Sequence, residues 1–451
     1  MTDNDKKWIE TPISRRGLLK TGSMAMGGII ATSMFPGRVL AADGSPLGNY
    51  PVGVAKDSCF IGLGCETTGP YSAQGADNLK GFQMAFEHLN NGNELMRAIS
   101  PDSKKGILGK RIEYGNVDTA SKPNQAIQGM TRFIKQDKAI LTAGSVSSAV
   151  AIACEKLGQR EKVIYLTSIS GSNATTGEDC QRYGFRSCVF GATASKALKP
   201  VLEKQLGKDK KVAYLVPDYT YGHTVFNSMK EFTGQIGWSV ATEQVAPLGS
   251  SDYSSYLLNA AASGADVFVN ICFGADAVNS IKQAKQFGIL DKMTMVIPYY
   301  TPFLAQEVGA EIMQDIYCVT DFAWQQQDQN ELAKSFVEQF EKKYGYKPEW
   351  GAEASYLQIA MYAEACERAG TFRPEEVIKA YEAEKELETM LGKVHMQASN
   401  HQLVHDVPII RGKKPGDMAD SEDYFDVVGL TPGADVMRTE EEAGCKLGSY
   451  T

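Results

Sequence analysis

From Ser58 onward the chain alternates short apolar runs with longer amphipathic stretches, and no other feature limits its fold as tightly. Apolar runs of a few residues suit strands buried on both faces, whereas apolar residues three and four apart suit helices packed along one side. Strands are expected over 59–63, 111–118, 139–142 and 163–166, with helices over 76–89, 124–136 and 148–157 between them. After Arg186 the pattern restarts. Helices are expected over 194–206, 221–236, 253–262 and 277–287, and strands over 212–216, 240–245, 267–272 and 293–297. Strands joined through helices build parallel sheets covered on both faces, so the expectation is an α/β protein with two Rossmann-like lobes. Helices over 331–344, 353–368 and 374–386 and strand-like runs near 407–410 and 424–428 are left over once both lobes are complete. The chain is therefore expected to cross between lobes several times and to form a multi-strand hinge. One lobe is expected to hold 58–188 with about 321–395, the other 189–320 with about 400–451.

Ahead of this body stands Ser14-Arg15-Arg16-Gly17-Leu18-Leu19-Lys20, followed over 21–35 by a mildly apolar stretch rich in Met, Gly and Ala. It resembles a twin-arginine export signal, with cleavage expected after Ala41 at the small-residue site Val39-Leu40-Ala41. The stretch is too short and too polar for the roughly 20 apolar residues of a membrane span. Residues 1–41 are read as the signal peptide and 42–57 as a flexible mature N-terminus. Such a signal implies passage through the Tat translocase to the periplasm, with the protein already folded.

The whole chain carries a formal net charge of -8, and removal of 1–41 leaves -11. That sign opposes nucleic acid as a partner, because neutralising phosphates requires clustered Lys and Arg. Catalytic motifs are missing too. There is no GxSxG, GxxxxGK[ST] or HExxH, and Gly62-Leu63-Gly64 lacks the third spaced glycine of a dinucleotide loop. His401 and His405 are four apart but fall in loop and strand, where that spacing does not make a metal pair. An enzyme, a metal and a cofactor are all unexpected. Of the nine cysteines, Cys180 and Cys188, which flank Tyr183-Gly184-Phe185-Arg186, are the pair expected to form a local disulfide; the alternative is that most cysteines serve as small buried apolar side chains.

Several short segments occur in a telling order. Thr68-Gly69-Pro70-Tyr71 is followed by Gly75 and Gly81; Asp118 precedes a helix opened by Pro123. Then come the serine-rich loop over 144–150, the turn Asp218-Tyr219-Thr220-Tyr221-Gly222, Ala265-Asp266-Val267, Gln283-Ala284 with Gly288, and Asn400-His401-Gln402 ahead of Val407-Pro408. Together they resemble the type I periplasmic binding proteins, specifically the leucine/isoleucine/valine-binding branch, over about 58–428. The resemblance implies a Venus flytrap: a monomeric receptor that closes on a small-molecule ligand and delivers it to the permease and ATPase subunits of an ABC importer. The same fold also serves as a ligand-sensing domain for membrane kinases or chemoreceptors.

In such a fold the ligand lies beyond the carboxyl ends of the strands, where loops enter helices. Ser147 and Ser148, with Ser145 nearby, sit at such a place, and backbone amides there can hold a carboxylate. N-capping accounts for one of these serines. The resemblance further implies hydroxyl contacts from Ser170 and Ser172 and aromatic contacts from Tyr71, Tyr221 and Phe273. Asp276 is a candidate contact, with helix capping as its alternative. Tyr299 stands where branched-chain amino acid receptors place the acid that neutralises the ligand ammonium. A carboxylate, or an aromatic or amide-like neutral compound, is therefore expected in place of an ordinary amino acid.

Overall fold

A computed structural model describes residues 57–450. The expected signal peptide, its cleavage site and almost all of the mature N-terminal tail lie outside the described residues.

The first part of the chain supplies β1 (Ser58–Gly64), β2 (Arg111–Asn116), β3 (Leu141–Gly144), β4 (Ile164–Thr167) and β5 (Gly184–Arg186). The next supplies β6 (Lys211–Pro217), β7 (Ser239–Ala246), β8 (Val267–Asn270), β9 (Thr294–Ile297) and β10 (Tyr317–Val319). Then follow β11 (Leu387–Thr389), β12 (Gly392–Gln397), β13 (Gln402–Val404), β14 (Val407–Gly412) and β15 (Phe425–Thr431). They form two sheets, ordered β11-β12-β13-β5-β4-β3-β1-β2 and β15-β14-β10-β9-β8-β6-β7. In each sheet the central strands are parallel, and antiparallel strands complete one edge. All residues of β3, β4 and β8 are buried, as continuous apolar runs require of strands covered on both faces.

The helices follow equally plain rules. Helix Pro123–Lys135 opens with proline at its first position and buries Ala126, Met130 and Phe133, a spacing that lines one face. Helix Trp350–Ala369 is buried from Trp350 to Cys366 and packs on helix Ser72–Asn91. The approach depends on Gly81, where a Cβ would lie 2.2 Å from the carbonyl oxygen of Ala352.

The chain crosses between the sheets at 187–190, 320–323 and 405–406. The third crossing falls later than the sequence pattern placed it, because β13 still pairs with β5 in the first sheet. Nor does the end of the chain stay with the second lobe, since a Cys180–Cys445 disulfide ties it back to the first. This corrects the expected Cys180–Cys188 pairing. Cys188 is a buried free thiol on the first crossing, with its Sγ 3.3 Å from the carbonyl of Ser170. Cys180 faces the C-terminal turn 265 positions away, which no local spacing reveals. The other cysteines are buried and unpaired, as the alternative reading had them.

Candidate ligand-binding site

At the carboxyl ends of the parallel strands, rings from both lobes gather into one cluster. The first lobe contributes Tyr71, just before helix Ser72–Asn91, and Trp350, the first residue of its helix. The second contributes Tyr219 and Tyr221 after β6, Phe273 after β8 and Tyr299 after β9. Phe273 is central: its ring lies 5.9 Å from that of Tyr71, 6.0 Å from those of Tyr221 and Tyr299, and 6.3 Å from that of Trp350. Tyr299 and Trp350 stand 4.6 Å apart. All are buried except Tyr219, which is partly exposed.

The lobes are closed over this cluster. The indole of Trp350 donates to the carbonyl of Tyr300 at 3.0 Å, and the amide of Ala275 to that of Pro70 at 3.3 Å. Gly171 lets the first-lobe loop lie against the wall of rings, since a Cβ there would stand 3.0 Å from the ring of Tyr221. Within the closed cleft, the hydroxyls of Tyr71, Tyr221 and Ser168 and both amide atoms of Gln74 are buried without a hydrogen-bond partner. Unpaired buried polar atoms are costly. They are the atoms that a ligand can satisfy.

The serines divide by partner. Ser147 occupies the N-cap position of helix Ser148–Glu161, yet its side chain makes no capping bond; Ser148 beside it is buried. Ser170 pairs with Thr175 at 3.2 Å. Ser172 accepts the amide of Ala174 at 3.2 Å and meets Thr224 of the second lobe at 3.4 Å, so its hydroxyl fastens the closed lobes together. The carboxylate of Asp276 accepts the amide of Gly249 at 2.8 Å, and its charge reaches Tyr71 and Tyr219. Gly274 is the N-cap residue of helix Ala275–Gln286, so Asp276 braces a loop and does not cap that helix.

Four charged side chains that sequence reasoning passed over shape the electrostatics. Glu66, just past β1, accepts the amides of Val146 at 3.0 Å and Ser147 at 3.2 Å and the hydroxyl of Ser145 at 3.2 Å. The amide nest offered to a ligand carboxylate is thus filled by the protein's own acid. Burial pushes the Glu66 carboxyl up from its ordinary range, against the pull of those amides. Its signal in the sequence is an acid two residues past an apolar strand. Arg186 is buried beside the hydroxyl-bearing loop, but its guanidinium is spent on the carbonyls of Ser170 and Ser172, on Gln402 and on Thr176. Asp321 accepts the hydroxyl of Tyr299. The position expected to be free of negative charge therefore has a carboxylate behind its ring. Near it, in the first turn of the Trp350 helix, both oxygens of Glu353 are buried without a partner. Burial, and then the charge of Asp321, hold this carboxyl well above its usual range.

A cavity of about 220 Å³ opens behind the hinge between Asp321, Phe322, Gln326, Asn330, Asp406 and Leu430; it is separate from the rings. Among the described residues there is no cluster of metal-ligating side chains, and no helix is long and apolar enough to cross a membrane. His401 is taken up by the carbonyl of Gly184 and by Glu382.

These features have counterparts in known proteins. The profile of the periplasmic binding protein family matches residues 58–417, and the chain belongs to that family. It is similar to Leu/Ile/Val-binding protein homolog 7 of Brucella abortus (strain 2308), with 25% identity over 347 residues, 73% of this chain and 83% of that protein. An amino acid ABC transporter substrate-binding protein from Pseudomonas fluorescens Pf-5 superposes with a TM-score of 0.78 at 24% identity, covering 87% of this chain and 100% of that one. A solute-binding protein of an ABC transporter from R. palustris, solved in complex with benzoate, superposes with a TM-score of 0.73 at 19% identity, covering 86% and 100%. The fold is the two-lobed Venus flytrap of the type I periplasmic binding proteins, as the sequence resemblance implied.

Proposed function

We propose that this chain is the extracytoplasmic receptor of an ABC importer, closing its lobes on a small organic molecule and presenting it to permease and ATPase subunits. The observation that carries this reading is the ring cluster, which draws on both lobes and encloses polar atoms without partners. A ligand that touches both walls stabilises the closed form over the open one, which is what hinge closure requires. The twin-arginine leader, the periplasmic location, the monomeric state and the division into lobes at the three crossings belong to the same proposal.

The ligand is a small planar or aliphatic compound with amide-like or hydroxyl groups. Rings accept its apolar body, and Gln74, Tyr71, Tyr221 and the serine hydroxyls face its polar atoms. The solved relative from R. palustris holds benzoate, which supports a ring-sized ligand. Glu66 weighs against a carboxylate here, because its own oxygens occupy the amides that such a group would seek. Benzamide and benzoate share a shape and differ in charge, so they test the point directly.

The experiment is a thermal-shift screen of the mature protein with benzamide, propionamide, benzoate and leucine. A ligand at a hundredfold excess over its Kd adds about 2.7 kcal/mol of stability. The amides are expected to raise Tm more than benzoate or leucine does. A preference for leucine would overturn the ligand chemistry. Stabilisation that survives both Tyr71→Ala and Phe273→Ala would overturn the site.

A further inference from the structure

Three segments cross between the lobes, and one side chain bears on all of them. Asp321 lies on the second crossing, two residues past β10. Its Oδ1 accepts the amide of Val189 on the first crossing and lies 3.3 Å from Nε2 of His405 on the third. The latter contact is within ion-pair reach without being a hydrogen bond. The other carboxylate oxygen accepts the hydroxyl of Tyr299, a wall of the ring cluster. We propose that Asp321 is a positioning residue that holds the three crossings in their closed register, with His405 as its counter-ion, and orients the Tyr299 ring through the same carboxylate. Only the Tyr299 arm rests on reading the rings as the ligand site.

Asp321 is 1% exposed. A carboxylate so far from water persists only with partners, and the closed hinge supplies an amide, a hydroxyl and an imidazole from three other segments. Opening rotates the lobes about these crossings, which loosens contacts between crossings and leaves Asp321 short of partners. The pair therefore favours closure when His405 is charged.

Other groups face the pair and set its balance. The Cys188 thiol on the first crossing and the unpartnered Glu353 carboxyl on the Trp350 helix both feel the charge of Asp321. Arg186 feels Cys188 and Tyr299. Nδ1 of His405 lies 2.9 Å from the carbonyl of Asp406, whose carboxylate adds to the field. Burial pushes the imidazole down, but Asp321 and Asp406 together more than offset it, so His405 stands above its ordinary value. The sign follows. A group whose value is raised in the closed state takes up a proton on closing, so closure is favoured below the ordinary histidine pKa of about 6.5 and weakens as pH rises through the closed-state value.

The test is small-angle scattering of the ligand-free mature protein at low and high pH, on either side of that window, which makes it independent of the ligand. The wild type is expected to contract on acidification, and His405→Gln to lose the contraction. Should that variant not fold, Asp321→Asn is the second probe, with the same expected loss. Tyr299→Phe keeps both members of the pair and is expected to retain the contraction. An equal radius for the wild type at both pH values, a contraction in His405→Gln like that of the wild type, or a loss in Tyr299→Phe as complete as in His405→Gln would each overturn the proposal. A failed amide screen with an intact pH response would sink the ligand reading and leave this one standing.

Discussion

The two lobes meet at one cleft and line it with different chemistry. The second lobe offers the rings of Tyr219, Tyr221, Phe273 and Tyr299, with fewer buried acids beside them: Asp276, and Asp321 bonded to Tyr299. The first offers two rings, Tyr71 and Trp350, but also buries Glu66, Asp77, Glu155 and Glu353. Burial pushes Asp77 up to about 6 and Glu155 up to about 8. Aromatic faces hold a flat apolar body largely without regard to its substituents, whereas a buried acid responds strongly to a charge placed beside it. On the proposed reading of the cleft, the second lobe would govern whether something is held and the first which polar groups it carries.

The largest test of that division is Trp350→Ala. The indole is fully buried, lies tilted against Tyr299 and donates across the cleft to Tyr300. Its removal is expected to cost about 3–5 kcal/mol of stability in a denaturant titration. As a ring it is expected to weaken benzamide and benzoate by the same factor in titration calorimetry. Unequal weakening would give the first lobe's rings a share in discrimination and break the comparison.

The contrast between the lobes was only half legible in the sequence. Tyr71, Tyr221 and Phe273 are expected here only through the family resemblance of their loops, and Tyr299 through its place where that family has an acid; the structure brings the four rings together. Trp350 could not be placed, because it reaches the cleft from a helix that follows the second crossing, more than 50 positions from the rings of β8 and β9 that it meets nearest the sequence of Tyr299. Asp321 escaped for the same reason, since three segments converge on it and none announces the others. Glu66 has a usable sign, a charge two residues past the apolar run of β1, but its partners in the 144–150 loop lie about 80 positions away. At the level of fold, the long strands and helices were read within a few residues, except β12 (Gly392–Gln397), which had no expected counterpart. In contrast, β5, β10, β11 and β13 have three residues each, too few for any period to show.

Glu66→Ala probes the first lobe's side of the comparison with an effect of intermediate size. It strips the acceptor from two amides and a hydroxyl, so a stability loss of about 1–3 kcal/mol is expected. The vacated nest then suits an anion. Benzoate is expected to gain in the thermal-shift screen relative to benzamide, reversing the order expected for the wild type. If the order stays as it was, Glu66 is not the discriminating group, and the first lobe loses its claim to select polar substituents.

The smallest effect is expected from Tyr221→Phe, and it sharpens the comparison from the other lobe. The hydroxyl of Tyr221 is buried without a partner, so its loss removes an unmet donor and acceptor and is expected to leave the ligand-free protein as stable as before, or slightly more so. Binding is different. If the ligand satisfies that hydroxyl, affinity falls by about 0.5–1.5 kcal/mol, a factor of roughly two to ten. Calorimetry with benzamide and with benzamide's hydrocarbon analogue toluene separates the two sources of such a loss. A fall for benzamide alone gives the second lobe one polar contact of its own, whereas equal falls for both leave it a wall of rings, because toluene has no group for the hydroxyl to meet.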